Sequence, residues 1–333
     1  MPGLRGPVRQ AANLFIPLRQ GMRVFPSDPS VRRFFPRCGY PACASGPIRL
    51  WRSRQAPVFE GRWACSPECL RAMVEAAIRR EGHGRENQWS PRVPLRLMLL
   101  EQGEISEDEL RKDGRKRLEG AGREGLRLEE WLPESGVLGE AALTRAISAQ
   151  WNCPVFSLSP IRAEEMAAAL PLFLAEALGA VPVRVTAGEL LYLAFSERID
   201  RSLAYAVEHI TGLRVAAGIA RSSEFSREQA RFLSARAPGT RILEADDRSA
   251  LAQRMSAWME EERPMEARLA RIHELWWLRI WRKAPGKPAL PAFGTVEDLL
   301  ATVGGPMERA KTVEEIAVPP IREMEGGGAS CRE

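Results

Sequence analysis

Apolar positions along this chain follow two periods, and the change between them marks its organisation. A helical period runs through ECLRAMVEAAIRRE (68–81) and again through 95–150. The second stretch contains one 24-residue pattern written twice, at 94–117 and 127–150. Leu95/Leu128, Leu99/Leu132, Glu101/Glu134, Gly103/Gly136, Glu107/Glu140 and Leu110/Leu143 are identical pairs. Ser106 with Glu109 forms an S-x-x-E capping box that opens a helix. Gly103 and Gly136 stand where a helix must stop in a left-handed residue.

After Trp151 the pattern becomes mixed. PVFSL is a short extended piece, and a helix from about Ala163 is broken at Leu170-Pro171. VPVRV and LLYLAF form a hairpin with Gly188 in the turn, Ile199–Thr211 is a helix ended by Gly212, LRVAAGIA is a third strand, and Ser223–Ala235 is a closing helix. Residues 244–283 read as a helical extension carrying Trp258, Trp276, Trp277 and Trp281, interrupted at Pro264 and preceded by the N-cap candidates Asp246 and Asp247. Within it, RIHELWWLRIWRK (271–283) presents aromatic residues between basic ends, suited to a partner, a membrane interface or the chain's own α/β unit. The expected divisions are a disordered basic leader (1–33), a cysteine-bearing finger (34–82), a helical tandem-repeat subdomain (95–150), an α/β subdomain (151–235), the helical extension (244–283) and a disordered tail (284–333). The fold class is α/β (α+β).

Composition adds compartment and charge. No stretch reaches the ~18 apolar residues of a membrane span, and no apolar signal-peptide region follows the first residues, so a cytoplasmic, reducing setting is expected. The net charge is +5, yet residues 1–59 hold ten Arg and one Asp. That basic arm suits nucleic acid or an anionic surface, or is simply a solvated leader.

In a reducing compartment, spaced cysteines suggest a metal before a disulfide. Cys38-x4-Cys43 and Cys65-x3-Cys69 lie 21 residues apart, the spacing of a structural Zn²⁺ site with four thiolates and no open position. Ser66-Pro67-Glu68 opens a helix that places Cys69 in its first turn. PIRLW and APVFEGRW can form a hairpin between the pairs, an order that resembles a treble-clef or zinc-ribbon finger. Arg49, Arg52, Arg54 and Arg62 alternate with Trp51, Phe59 and Trp63, which suits stacking on nucleic acid or a small aromatic core. Cys153 is expected as a small core residue and Cys331 as a tail thiol.

The tandem pattern resembles the N-terminal domain of the GspE/PilB secretion and pilus ATPases, whose duplicated motif has the form RLGxxLLxxGLLxxxxLxxxLxxQ. RLEEWLPESGVLGEAALTRAISAQ fits one full copy, and the order downstream fits as far as about residue 235. In some members this motif binds cyclic di-GMP. The resemblance implies ligand positions at Arg127, Leu128, Leu132, Gly136 and Gln150, with Leu95 and Gly103 from the first copy. Arg offers a planar fork to guanine or phosphate, and Gly allows close backbone approach. The first copy departs from the motif, with Pro94 for Arg, Arg96 for Gly, Gly114 for Leu and Arg117 for Gln. The second has Glu129 for Gly, a carboxylate that costs an approaching dinucleotide about 1–4 kcal/mol. The apolar skeleton is thus better kept than the polar groups.

No P-loop G-x-x-x-x-G-K-[ST] occurs, because Gly286-Lys287 runs into Pro288. No catalytic residues are therefore expected. Three functions remain: a non-enzymatic adaptor or regulator with a protein partner of the secretion or pilus ATPase kind, a cyclic di-GMP sensor, and a nucleic-acid-binding finger.

Overall fold

The computed structural model describes residues 38–44, 57–82, 92–109, 138–186, 189–285 and 290–305. The expectations for 1–33, for most of the tail, for the strand PIRLW and for Gly188 lie outside these residues.

The N-terminal hairpin lies wholly within APVFEGRW, with β1 (Val58–Phe59) antiparallel to β2 (Arg62–Trp63). Its two-residue turn, Glu60-Gly61, has both φ angles positive, the geometry that matches strand twist. Helix α1 (Pro67–Gly82) follows and buries Leu70, Met73, Val74, Ala77 and Ile78.

The tandem region gives α2 (Leu95–Glu101) and α3 (Glu140–Trp151). Leu95, Leu99, Ile105, Leu138, Leu143 and Ile147 are buried in one shared core, so the described apolar positions of the two copies pack together. Gly103 turns the chain at φ +69. The capping box forms in full. Ser106 Oγ accepts from Glu109 N at 3.3 Å, while the Ser106 backbone N–H donates to Glu109 Oε2 at 2.8 Å.

The next unit contains β3 (Val155–Phe156), α4 (Ala163–Met166), α5 (Leu172–Ala177), β4 (Ala180–Thr186), β5 (Leu190–Phe195), α6 (Arg201–Thr211), β6 (Arg214–Ala220) and α7 (Ser222–Leu233). The sheet order is β3-β6-β5-β4, with only β4–β5 antiparallel. Asp200 caps α6 by accepting from Leu203 N, and Gly212 ends it at φ +77.

The C-terminal part corrects the expected helical extension. Helix α8 (Arg248–Glu262) is capped by Asp247 and ends at the left-handed Arg263 before Pro264. The following residues form an antiparallel hairpin of β8 (Glu266–Ile272) and β9 (Leu275–Trp281). The supposed tail supplies β10 (Val296–Val303), which lies between β9 and β7 (Gly239–Ala245) in the order β7-β10-β9-β8. All seven residues of β9 are buried. A strand covered on both faces loses its apolar–polar alternation, and a continuous apolar run imitates a buried helix.

Period 2 is nevertheless strict in the packing. Ala267, Leu269, Trp276, Leu278, Ile280, Leu299 and Ala301 face α1 and α8. Ala270, Ile272, Leu275, Trp277, Trp281, Val296 and Leu300 face the core of the tandem and α/β units. The Trp-rich segment is therefore a central layer of the protein and not an exposed aromatic surface. Arg279 and Asp298 sit opposite one another on the second face, both 0% exposed. Arg279 donates to both Asp298 oxygens at 2.7 and 2.8 Å and to Ala168 O at 2.6 Å, and Trp277 Nε1 donates to Asp298 Oδ1 at 2.7 Å.

The β8–β9 turn carries a second cross-link. His273, at φ +53, places Nε2 2.6 Å from Asp200 Oδ2. The hydrogen bond that His273 donates to Asp200 raises the His273 pKa above its usual 6.5. Burial works to raise Asp200, but His273 and the Leu203 N–H outweigh it, and its pKa falls below 3.8. The raised histidine stabilises fully below its unfolded pKa and loses that contribution as pH rises through its folded value. The lowered aspartate stabilises above its unfolded pKa and loses that as pH falls. The advantage of native protein over His273→Asn is thus expected to be greatest between about pH 4 and 6.5 and to shrink toward alkaline pH. Urea unfolding of both at pH 5.5 and 8.5 checks this. Asn is chosen because it tolerates the left-handed backbone.

Candidate functional site: a four-cysteine centre and the seam of the tandem motif

Cys38 and Cys43 stand on the 38–44 knuckle, Cys65 follows β2, and Cys69 lies in the first turn of α1. The knuckle is pinned by Gly39 N donating to Trp63 O at 2.7 Å. Only glycine fits there, because a Cβ would come 2.5 Å from Arg62 Cβ. The four sulfurs lie within 4.8 Å of one another, with Cys43–Cys65 at 3.4 Å and Cys65–Cys69 at 3.7 Å. A tetrahedron with metal–sulfur bonds of ~2.3 Å has edges of about 3.8 Å, so this cluster can hold a metal ion. Without a cation, burial pushes the Cys69 thiol up to about 12, and burial also raises Cys38. A bound cation would favour the thiolates.

The finger is docked on the C-terminal sheet. Val58 N donates to Pro264 O, Glu60 N to Ala267 O, and Gly61 N to Glu266 Oε1. Phe59 is 2% exposed within the core shared with that sheet, so it is not part of a stacking surface for nucleic acid. Arg62 is exposed, while Arg49, Arg52, Arg54 and Trp51 lie outside the described residues. His209 places Nε2 3.8 Å from Glu60 Oε1, an ion-pair distance longer than a hydrogen bond.

Of the expected ligand positions, Leu95 is buried, Gly103 forms the turn after α2, and Gln150 lies near the end of α3. Arg127, Leu128, Leu132 and Gly136 lie outside the described residues. Gln150 Nε2 donates to Val93 O at 2.9 Å, so the end of the second copy is bonded to the residue before Pro94, where the first begins. Beside this bond the Arg92 guanidinium lies 3.3 Å over the Trp151 ring. Sequence reasoning missed Arg92 and Trp151. The available signal was their position, immediately outside the ends of the two copies.

No protein-family model matches this chain, and no curated protein matches it. Solved structures do match. MshE with cdg (cyclic di-GMP) is 24% identical at a TM-score of 0.34, covering 42% of this chain and 99% of that one. The N-terminal domain of XpsE is 20% identical in one crystal form, with a TM-score of 0.31 and coverage of 41% and 92%. In another it is 21% identical, with a TM-score of 0.26 and coverage of 40% and 90%. These are distant, partial likenesses to N-terminal domains of the GspE/PilB kind. No described helix is long and apolar enough to cross a membrane.

Proposed function

We propose that this is a non-catalytic regulatory protein whose tandem helical motif takes up cyclic di-GMP, held on a scaffold stapled by a structural Zn²⁺ on Cys38, Cys43, Cys65 and Cys69. One observation carries the reading. The described parts of the two motif copies meet, with Leu95, Leu99 and Ile105 of the first in one core with Leu138, Leu143 and Ile147 of the second, and Gln150 bonded to Val93 O at their seam. In the sequence, the second copy keeps Arg127, Leu128, Leu132, Gly136 and Gln150. MshE, a distant likeness, is known with cdg. The four thiolates leave no coordination position for water, so the metal would be structural and not hydrolytic.

A cytoplasmic setting goes with this reading, since cysteines stay reduced and metal-binding there. The eroded positions Pro94, Arg96 and Glu129 favour the competing role, an adaptor that keeps the fold and docks on a secretion or pilus ATPase component. Calorimetric titration of the full chain with cyclic di-GMP separates the two. Saturable binding in the micromolar range, lost in Arg127→Ala, is expected of the sensor. Absence of heat up to about 100 μM, above which binding would be weaker than about −5.5 kcal/mol, would leave the adaptor.

A further inference from the structure

We infer that a cavity between the α/β unit and the C-terminal sheet binds a small amphipathic carboxylate, one carboxylate group carried on an apolar chain or ring. The tandem motif supplies none of its lining, so the inference does not rest on the cyclic dinucleotide reading. The cavity holds about 860 Å³. That lies within the range of about 300–1,000 Å³ typical of small-molecule sites, which favour junctions of this kind. Its lining comes from the segment around α4, from β4, from the α7–β7 connection and from the residues before β10.

The floor is apolar. Ile161, Met166 and Ala168 are buried there, and Val183, Val185 and Leu290 pack beside them on the same core. An apolar body placed on this floor leaves water. The rim is cationic. The Arg236 guanidinium lies 4.1 Å over the Phe293 ring, and Arg184 lies 4.8 Å over the Tyr192 ring. A guanidinium held by its face keeps its in-plane N–H groups for a carboxylate, which it can meet with two parallel bonds. Neither arginine has a carboxylate partner among the described residues. Arg162, the third arginine of the lining, is already paired with Glu165 at 3.2 Å, and Glu164 is the other acid. Three arginines against two glutamates leave one positive charge, which matches a monoanion. A strand-forming peptide fits less well. Strand β4 is the sheet edge here, but Pro182 has no N–H to offer and the register shifts between Pro182 and Arg184, two devices that block strand addition. The floor also bears on the rest of the fold, because the carbonyl of Ala168 accepts from the buried Arg279. A ligand seated on it should therefore brace the link between the two sheets.

The test is calorimetry of the full chain with octanoate and with octanol, its neutral counterpart of equal length, and melting curves with and without octanoate. Native protein should bind one octanoate and melt at a higher temperature in its presence. Octanol should bind about tenfold more weakly, since it lacks the charged group the arginines meet. Arg184→Ala and Arg236→Ala, both at exposed positions, should each weaken octanoate binding by about tenfold. Arg145→Ala, on α3 and outside the lining, should bind as native. The proposal fails if native protein shows neither heat nor a melting shift up to about 1 mM octanoate, a limit near −4.1 kcal/mol. It fails equally if octanol binds as tightly as octanoate, or if both arginine variants bind within twofold of native. An acidic peptide of alternating leucine and glutamate that binds more tightly than octanoate would make the occupant a strand and overturn the small-molecule assignment. The octanol comparison uses native protein alone, so a variant that folds poorly leaves the test intact.

Discussion

Asp298→Ala is expected to destabilise the protein by about 3–5 kcal/mol in urea unfolding, a large share of a typical domain's net stability. The cause is what it leaves behind. Arg279 is fully buried, and Asp298 is the acidic group that meets it, at 2.7 and 2.8 Å. Removing the carboxylate strands a guanidinium in the interior and also takes the acceptor from Trp277 Nε1. The bond from Arg279 to Ala168 O crosses from the C-terminal sheet to the turn between α4 and α5, so the damage should reach both units. Replacing both partners with apolar residues, as in Arg279→Met with Asp298→Leu, should recover most of the loss. A double variant as unstable as Asp298→Ala would show that the carboxylate acts through something other than this pair.

The same pair explains why part of the fold was hard to read. Asp298 in VEDLLATV looks like a surface residue, and the strand follows a Pro/Gly-rich stretch, so local pattern places it in a tail. Only the arginine 19 residues earlier makes a buried aspartate tolerable there. Local pattern carries no trace of such a partner. The Leu275–Trp281 strand failed for a related reason. Its alternation is erased because the tandem and α/β units cover one face and α1 with α8 cover the other. Where one face stays partly solvated, the reading was sound. The β4–β5 hairpin, the parallel β6 and helices α6 and α7 all follow from period and punctuation. The capping box at Ser106 and the Asp247 cap were legible because both are local chemistry. The cysteine cluster was legible because the spacing of four ligands already implies their convergence. The Arg92–Trp151 stack was not, since neither residue belongs to the repeated pattern.

Metal removal should have an effect beyond the finger itself. Structural zinc in small fingers contributes on the order of 10–16 kcal/mol of apparent binding free energy, comparable with or above the net stability of a domain. Here the four cysteines fix the knuckle, the end of the β1–β2 hairpin and the first turn of α1 in one cluster. Leu70, Val74, Ala77 and Ile78 of α1, with Phe59, share a core with Leu251, Met255 and Met259 of α8 and with Leu269 and Leu278 of the sheet. Chelation is therefore expected to uncover the part of that sheet face under α1 and Phe59, whereas the core of the tandem and α/β units lies on the other face. Purified protein is expected to release about one equivalent of Zn²⁺, and Cys65→Ser to contain none. Loss of metal should reduce the near-ultraviolet circular dichroism of the buried Trp258 and Trp276 while amides of β5 and β6 stay protected from exchange. Cys153→Ser, outside the cluster, should retain the metal. A chelated protein with unchanged melting and unchanged tryptophan signal would mean that the cysteines pack the finger as thiols and hold no metal.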